Sequence, residues 1–347
     1  MGAPQVALVT SRYKREHWLL RADLLASGYL TPISSEALRR HGPGLLRGYD
    51  AVIVFSDMLF HDDERGFLEA VLEFSGPVAV VDDRDDPITL RLASLPNVVY
   101  FKREYRRVPP GLTSATRYWI SWVHLSRRLG ARRLLLPSEE YALRKTGKIL
   151  PLPLSISNSL PSDVEALHRS EKRYLVSMVA NMNLPRNLWD YLASRMSSSE
   201  RLRLARLLSR IPGSYVHTFN FDRPKLGHKL PAAAYAHVIA SSTSSVAPRG
   251  SGCDTYRYYE IPALGSVLLS ERSCAVVPND FRDGEEALFF SSHRQLLRII
   301  EELASDAKLA ASMARAGYEK YKRYHAPAAR LRYLIENLME YRARDVS

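Results

Sequence analysis

Residues whose types and spacing could bind a ligand lie in the stretch from Ser244 to Glu271. This stretch reads as a short apolar strand, a glycine-bearing loop, a brief helix and a second apolar strand. Gly250 and Gly252 have no side chain, so the loop backbone can approach a ligand closely. A helix N-terminus presents free N–H groups, and Arg257 in the first turn can give two hydrogen bonds to a phosphate. The sequence therefore predicts a phosphate-binding loop.

The predicted helix begins at Thr255, with Asp254 as its N-cap. Glu260 follows Arg257 by three residues, so the two side chains share one helix face. A carboxylate one turn away from a phosphate site is placed to accept hydrogen bonds from ribose hydroxyls. The alternative is a buried crossover helix with a solvated arginine–glutamate pair. Pro262 counts against a regular helix, because it leaves a carbonyl without its donor.

The order of residues in this helix resembles a known signature. The pattern is Arg-x-x-Glu-x-x-Ala-x-Gly-x-x-x-Leu, formed here by Arg257, Glu260, Ala263, Gly265 and Leu269. It is similar to the nucleotide-sugar signature in the C-terminal domain of GT-B glycosyltransferases. The resemblance implies that the glutamate holds the ribose of a sugar donor and that the upstream loop faces the donor diphosphate. On this basis the donor-binding candidates are Arg257, Glu260, Arg249, Gly250, Gly252 and Thr255.

Gly252 is a departure from many members of that family, which carry a second glutamate eight residues before the first. The usual contact from that glutamate to the donor sugar is therefore not expected here. The form without it is more similar to the spore-protein-like, exostosin-like and bacteriophage DNA glucosyltransferase branches. The continuation through Gly284, Glu285 and a predicted strand at Leu288–Phe290 also resembles the family.

The resemblance implies an α/β fold of the GT-B type, in which two Rossmann-like domains face each other across a cleft and a helical tail follows. Short apolar segments without alternation, separated by helices, are typical of such buried parallel sheets. We expect an acceptor-side domain over 1–160, a nucleotide-sugar-binding domain over 161–325, and a helix over 326–347 that packs back towards the first domain. The boundary falls in the Pro- and Ser-rich stretch Leu150–Ser162.

The first domain is expected to contain five strands, with a long helix carrying Trp18 and Leu25 after the first of them. Ligands bind parallel sheets at the carboxyl ends of the strands, so the polar residues directly after each strand are candidates for chemistry. The predicted strands are Val6–Val9, Ala51–Phe55, Val78–Val81, Val98–Phe101 and Leu134–Leu136.

Arg186 lies in the loop after the first predicted strand of the second domain, Tyr174–Val179. In GT-B enzymes this loop faces the donor diphosphate and often carries a basic residue that contacts it. The resemblance therefore implies a diphosphate contact for Arg186. The alternative is an arginine that caps the following helix.

Acidic residues cluster after the third predicted strand, at Asp82, Asp83, Asp85 and Asp86. One interpretation is a metal site with carboxylate oxygen ligands, and another is a surface turn. We favour a third, in which one carboxylate acts as the general base that takes the proton of an acceptor, with Asp83 ahead of Asp82. The phage DNA glucosyltransferases carry an Asp after the corresponding strand that looks like the base. Such a base implies transfer with inversion, although the sequence leaves a retaining enzyme open.

Three further residues are candidates on the acceptor side. Lys102 and Arg103 follow the fourth predicted strand, and two cations there could hold an acidic acceptor or a phosphate. An ion-pair cluster at the sheet edge is the alternative. His61 follows the second strand, where it could act in catalysis or simply cap the next helix.

Composition narrows the class of protein. The chain has 347 residues, a formal net charge of +12 and only two cysteines. The positive charge favours anionic partners, such as nucleotides, nucleic acid or an anionic membrane surface. Two cysteines make neither a disulfide framework nor a zinc site, and no segment is apolar over the ~20 residues that a membrane span needs. We expect a cytoplasmic protein with no transmembrane segment.

The sequence thus predicts a glycosyltransferase that moves a sugar from a nucleoside-diphosphate sugar to an acceptor, without a metal or other cofactor. The acceptor is a glycan, a lipid-linked molecule or a protein, with nucleic acid as a further candidate. Two alternatives stay open: a DNA-modifying or nucleic-acid-binding protein that uses the positive charge directly, and a nucleotide-sugar epimerase of the same fold.

Overall fold

The computed structural model describes residues 4–10, 17–56, 71, 73–84, 88–106, 134–182, 199–220, 227–250 and 252–345. The chain divides into two compact units. The first comprises Met1–Pro153, Ala275–Pro278 and Arg330–Ser347, and the second comprises Leu154–Cys274 and Asn279–Ala329. The division after Pro153 falls a few residues before the predicted boundary at residue 160.

The first unit is built on a parallel sheet. Its strands are β1 (Val6–Thr10), β2 (Leu30–Ser34), β3 (Ala51–Phe55), β4 (Val78–Asp82), β5 (Val98–Lys102) and β6 (Ile149–Pro151). They pair in the order β2-β1-β3-β4-β5-β6. The three strands β3, β4 and β5 are buried along their whole length, which explains their continuous apolar sequences. The strand order reverses between β1 and β3, and such a switch point is where open α/β sheets bind ligands.

The second unit has a parallel sheet of the same kind. Its strands are β7 (Tyr174–Asn181), β8 (Ser214–Phe219), β9 (Ser242–Ala247), β10 (Val267–Ser270) and β11 (Leu288–Phe289). They pair in the order β11-β10-β9-β7-β8. The order reverses between β7 and β9, so the loops that follow these two strands flank the switch point of this sheet.

Helices connect the strands in both units. The α-helices are α1 (Ala22–Ala26), α2 (Ser35–His41), α3 (Pro137–Lys145), α4 (199–208), α5 (Ala232–Ala240), α6 (Arg257–Ala263), α7 (His293–Ser305), α8 (Ala307–Lys320) and α9 (Pro327–Asp345). Short 3₁₀ turns lie at Trp18–Leu20, Pro43–Leu46, Arg91–Ser94 and Glu165–Arg169, and a π-helical turn at Tyr321–His325 joins α8 to α9. Parallel sheets with flanking helices confirm the predicted α/β class. Among the described residues, no helix combines the length and the apolarity that a membrane span requires.

One predicted strand of the first sheet, Leu134–Leu136, is wrong, and the edge strand β2 was not predicted. Leu134 forms only an isolated antiparallel bridge to Leu90, and the place beside β5 is taken by β6 instead of Leu134–Leu136. Pro137 turns the chain into α3 directly after these leucines, because proline suits the first position of a helix. The strand β2 could not be predicted from its sequence, which contains Pro32. A proline is tolerated there because β2 lies at the edge of the sheet.

The long helix predicted after β1 is also wrong. Residues Trp18–Leu20 form a single 3₁₀ turn, and α1 begins separately at Ala22. The side chain of His17 accepts a hydrogen bond from the Leu19 N–H at 3.2 Å, and Arg21 then adopts extended backbone angles. The apolar residues still face the interior, since Trp18 and Leu19 are both buried. The periodic pattern therefore predicted correctly which residues are buried, but it did not predict that the helix is interrupted.

A disulfide between Cys253 and Cys274 joins the loop after β9 to the segment after β10. This bond could not be predicted from the sequence, because two cysteines 21 residues apart carry no pairing signal of their own. The Ser273 hydroxyl donates to the Cys253 carbonyl at 3.1 Å, which adds a second link between the same two segments. The glycine loop is thus held at its C-terminal end.

We expect the Cys253→Ser/Cys274→Ser double variant to unfold with a free energy lower by about 3 kcal/mol, since the closed loop of the unfolded chain loses its constraint. Urea unfolding of wild type and variant measures the difference. A Ser209→Ala variant, which removes one part-buried hydroxyl in the turn after α4, is the control and should change the free energy of unfolding far less. Equal stability of the double variant and the wild type would contradict the expectation, as would two titratable thiols in the unreduced wild type.

Candidate active site

The loop after β9 lies at the switch point of the second sheet. Arg249 is partly exposed, and its Nε lies 3.6 Å from Glu271 Oε2. A Cβ atom on Gly250 would approach Thr255 Cγ2 to 3.4 Å, so the absence of a side chain allows the loop to close on itself. Gly252 is buried. The structure therefore brings the predicted loop candidates together in one turn of chain.

The predicted cap of the following helix is wrong. The helix α6 begins at Arg257 and is only seven residues long, with Tyr256 at the N-cap position. The Asp254 carboxylate is buried and accepts from the Leu154 N–H at 2.7 Å and from Tyr259 Oη at 2.9 Å. A carboxylate that close to a helix start usually caps it, but here it ties the loop to a distant segment of the same unit.

Arg257 lies at the first position of α6 and is partly buried. Its Nε is inaccessible to solvent and finds no hydrogen-bond partner within the described part of the chain. The charge of Arg257 is close enough to Glu260 to lower the pKa of that carboxyl. An arginine with a donor still unused, beside a glycine loop at a switch point, is suited to bind an anion.

Glu260 is buried, and both of its carboxylate oxygens have partners. Oε2 accepts from Tyr235 Oη at 2.7 Å, and Oε1 accepts from the Ser157 N–H at 3.3 Å. Burial raises the pKa of Glu260, and the Arg257 charge and the hydrogen bonds from Tyr235 and Ser157 offset part of that rise. Each carboxylate oxygen has a second lone pair, so the group can accept a further hydrogen bond from a ligand.

Tyr235 is a member of this site that the sequence analysis missed. It lies on α5, whose sequence AAAYAHVIA is typical of a packed helix and carries no chemical signal. Burial, and then the charge of Glu260, raises the pKa of Tyr235, so its hydroxyl stays protonated and donates to the carboxylate. Tyr235 therefore fixes the direction in which Glu260 points.

Asp82 lies at the end of β4 in the first unit, at the centre of a buried polar network. Its Oδ1 accepts from Arg84 Nε at 2.7 Å and from Ser56 Oγ at 3.0 Å. Its Oδ2 accepts from Tyr100 Oη at 2.6 Å and from Lys102 Nζ at 3.1 Å. The carboxylate has no side-chain exposure, so its hydrogen-bonding capacity is used inside the protein.

The environment of Asp82 keeps it ionised. Burial by itself would raise the pKa, but the charges of Arg84 and Lys102 and the hydrogen bonds from Arg84 and Tyr100 hold the pKa of Asp82 well below its usual range. Because the folded pKa is depressed, the resulting stability is present above the ordinary value of 3.8 and is lost as the pH falls below it. A group so reluctant to take up a proton is poorly suited to general-base chemistry.

Asp83 has a different environment from its neighbour. Its side chain is 14% exposed, and Oδ2 lies 3.9 Å from Nε2 of His17. His17 is buried against Phe55, with ring centroids 4.8 Å apart. Since His17 Nδ1 already accepts the Leu19 N–H, Nε2 carries the proton of the neutral ring and faces Asp83. This pairing could not be predicted from the sequence, because His17 and Asp83 are far apart in the chain.

The remaining sequence candidates divide into buried and undescribed ones. Lys102 is 1% exposed, and Nζ donates to Asp82 and to the Ile88 carbonyl at 2.6 Å, so it belongs to the buried network. Arg103 is also buried, and its N–H donates to the Asp82 carbonyl at 2.9 Å. The predictions for His61 and Arg186 lie outside the described residues. No group of three or more His, Cys, Asp or Glu side chains that could hold a metal occurs in the described ranges.

Comparison with solved structures shows which class of protein has this fold. A glycosyltransferase from Rickettsia africae ESF-5 superposes with a TM-score of 0.52 at 9% identity, over 98% of this chain and 99% of that one. An alpha-glucosyltransferase in complex with UDP gives a TM-score of 0.48 at 9% identity, over 96% and 91% of the two chains. TarM gives 0.43 at 9% identity, over 83% of this chain and 54% of its own, so this chain spans about half of TarM. The fold is the two-domain α/β fold of GT-B glycosyltransferases.

Comparison with protein-family models identifies a domain in the second half of the chain. Residues 199–336 match the family model described as glycosyl transferase-like, and this range contains the glycine loop and α6. No curated protein matches the chain in sequence. The fold, and the glycosyl transferase-like match over residues 199–336, agree with the resemblance drawn from the order of the residues and confirm it.

The network around Asp82 gives a test of its structural role. Asp82→Asn should lower the free energy of unfolding by about 3–5 kcal/mol, because it leaves the buried Lys102 ammonium without its counter-charge. Chemical denaturation of wild type, Asp82→Asn and Asp83→Asn measures this, and Asp83→Asn is expected to cost much less. In Asp82→Asn/Lys102→Met, where both charges are removed, much of the stability should return. A single Asp82 variant as stable as the wild type would refute the network as a stabilising element.

Proposed function

We propose that this protein transfers a sugar from a nucleoside-diphosphate sugar to a hydroxyl of an acceptor molecule. The observation that carries the proposal is the pair Arg257 and Glu260 on one turn of α6, beside a glycine loop at the switch point of the second sheet. One residue offers an unused donor for an anion, and the other a fixed carboxylate for hydroxyl groups. A nucleoside diphosphate carries both of these features within one molecule.

In this proposal, Arg257 binds the diphosphate and Glu260 binds the ribose hydroxyls of the donor. Tyr235 holds Glu260 in the orientation that the ribose requires, through the 2.7 Å hydrogen bond. The loop residues Gly250 and Gly252 give the phosphates close access to the backbone. Arg249, Thr255 and Arg186 are proposed as further donor contacts on the basis of the sequence.

The reaction we propose is a single displacement. The acceptor oxygen forms a bond to the anomeric carbon, and the bond from that carbon to the phosphate oxygen breaks with its electron pair on the leaving nucleoside diphosphate. Arg257 stabilises the charge that develops on the leaving group. Asp83 takes the proton of the acceptor hydroxyl, and the configuration at the anomeric carbon inverts. The charge network around Asp82 fixes the strand end from which Asp83 projects.

The net charge of the chain bears on the class of the acceptor. The net charge of +12 favours an anionic acceptor or an anionic surface that carries it. Glycans, lipid-linked molecules and proteins with acidic character fit this condition, and nucleic acid does as well. Incubating the protein with a radiolabelled nucleotide sugar and extracts separated into these four classes identifies which class becomes labelled.

We propose that the reaction needs no divalent metal, because Asp82 is committed to Arg84 and Lys102 rather than available as a ligand. Release of nucleoside diphosphate from its sugar donor should therefore continue at an unchanged rate in excess EDTA. A parallel sample with added Mg²⁺ or Mn²⁺ gives the control. Loss of turnover in EDTA that either ion restores would show that a metal takes part.

The donor site is tested with ligands that differ only in phosphate. Arg257→Ala should weaken binding of nucleoside diphosphate by about 1.5–3 kcal/mol, the range of a charge-assisted hydrogen bond, and affect the nucleoside much less. Glu260→Ala should weaken both ligands, since both carry the ribose. Calorimetric titration with UDP, GDP, ADP, CDP and dTDP and their nucleosides measures the effects.

Arg294→Ala, at an exposed position on α7, is the matched control and should bind like wild type. If Arg257→Ala and Glu260→Ala are folded and still bind the diphosphate with wild-type affinity, the donor site lies elsewhere and the proposal loses its main support.

The proposed base is tested by turnover. Asp83→Asn should leave donor affinity nearly unchanged and slow the release of nucleoside diphosphate by about 10²-fold or more, the usual scale for loss of a general base. Glu73→Gln removes an exposed carboxylate from the same unit and should have no effect. Wild-type turnover in Asp83→Asn would remove Asp83 from the mechanism.

A further inference from the structure

A buried arginine connects the end of β7 to the start of the loop after β9, on the two sides of the switch point of the second sheet. Arg201 lies on α4 and is 8% exposed. Its Nε donates to the Arg249 carbonyl at 2.9 Å, and its Nη1 donates to the Asn181 carbonyl at 2.5 Å. Asn181 is the last residue of β7, and Arg249 follows β9 by two residues. The two acceptors are therefore backbone groups at the carboxyl ends of neighbouring strands.

The two carbonyls lie on either side of the switch point of the second sheet. The strands β7 and β9 are adjacent in the sheet, and the strand order reverses between them. Loops on the two sides of a switch point diverge, and the crevice between them is where a ligand enters. A planar guanidinium that donates to one carbonyl on each side sets the distance between these two carbonyls, since its donors have a fixed spacing.

Gly250 lies against the third nitrogen of the same guanidinium. A Cβ atom at this position would come within 3.3 Å of Arg201 Nη2, which is closer than an ordinary van der Waals contact. Glycine at residue 250 therefore lets the loop pack on the arginine. The charge of Arg201 is thus held beside the loop backbone, where the proposed function places the donor phosphates.

We propose that Arg201 is a positioning residue for diphosphate binding. The inference rests on the proposed function, in which the glycine loop and the loop after β7 face the donor diphosphate. Arg201 fixes the spacing between the end of β7 and the glycine loop, which binds the phosphates in that function, so loss of its two contacts should affect the phosphates specifically. In the proposed function the ribose is bound by Glu260, which Tyr235 orients from another helix, so ribose binding should not depend on Arg201.

The test uses Arg201→Lys, which keeps the charge but loses the planar fork. Arg203→Lys is the matched control, because Arg203 is on the same helix with its side chain 71% exposed. Each variant is titrated with the nucleoside diphosphate from the panel that wild type binds best and with the corresponding nucleoside. Arg201→Lys should weaken the diphosphate by about tenfold or more and change the nucleoside by less than about twofold. Arg203→Lys should change neither ligand.

Steady-state kinetics gives a second measurement. If Arg201 positions the loops for the donor, the KM for the nucleotide sugar should rise in Arg201→Lys by more than kcat falls. A role confined to stability would instead lower the melting temperature and leave the ratio of diphosphate to nucleoside affinity at its wild-type value. That ratio therefore separates the two roles.

Gly250→Ala provides an independent variant in case Arg201→Lys does not fold. The added methyl group displaces the guanidinium or the loop, so diphosphate binding should fall while nucleoside binding persists. In the Arg201→Lys background, the same substitution should cost markedly less, because the contact is already lost.

The outcomes distinguish this inference from the proposed function. If wild type binds a nucleoside diphosphate and both Arg201→Lys and Gly250→Ala bind it equally well, Arg201 has no positioning role and the donor site stands. If Arg201→Lys weakens diphosphate and nucleoside alike, the phosphate-specific role is also overturned. If wild type binds no nucleoside diphosphate in the panel, both the donor site and the role of Arg201 are wrong.

Discussion

Parallel pairing is the constraint on which both units depend. A parallel sheet places the carboxyl ends of all its strands at one edge, so side chains from distant parts of the chain meet there without any direct sequence relation. In the first unit, Asp82, Lys102 and Ser56 come together in this way. In the second, the main-chain carbonyls of Asn181 and Arg249 both come within hydrogen-bond distance of the Arg201 side chain. The apolar strands are buried on both faces, which keeps each edge rigid enough to hold a polar group in one position.

The two units stabilise their polar edges by different means. In the first, a buried carboxylate is surrounded by two cations and two hydroxyls, so opposite charges compensate each other. In the second, a buried guanidinium donates to main-chain carbonyls, which carry only partial charge. The two cations neutralise most of the charge of the carboxylate, so the carboxylate serves as a structural element. The guanidinium instead fixes the spacing of two backbone groups at strand ends, the positions where a parallel sheet binds ligands.

The sequence predicted those elements whose signal is local. The strands β3, β9 and β10 were found from short apolar runs and their flanking residues, and the spacing of Arg257 and Glu260 identified the shared face of α6. Elements with a weak apolar signal were missed. The edge strand β2 contains a proline, and β6 is only three residues long in a stretch that reads as a linker. Their place in the sheet is decided by tertiary pairing rather than by propensity.

The partners of the site residues could not be predicted, because each pair is separated by many residues. Tyr235 and Glu260 are 25 residues apart, and Arg201 and Arg249 are 48 apart. Asp254 illustrates the reason: its type and position are those of a helix cap, yet its carboxylate accepts from a backbone group 100 residues away. A rule based on neighbouring residues predicts the local partner that a side chain prefers. The fold can bring a residue from a distant part of the chain closer to it than that local partner.

The disulfide beside the glycine loop has a practical consequence for the whole chain. The sequence contains only two cysteines, and both are joined to each other. The oxidised protein accordingly offers no sulfhydryl to a maleimide dye. A single cysteine introduced anywhere on the surface becomes the sole attachment point for a fluorophore, so loop motions can be followed by spectroscopy without first deleting native residues.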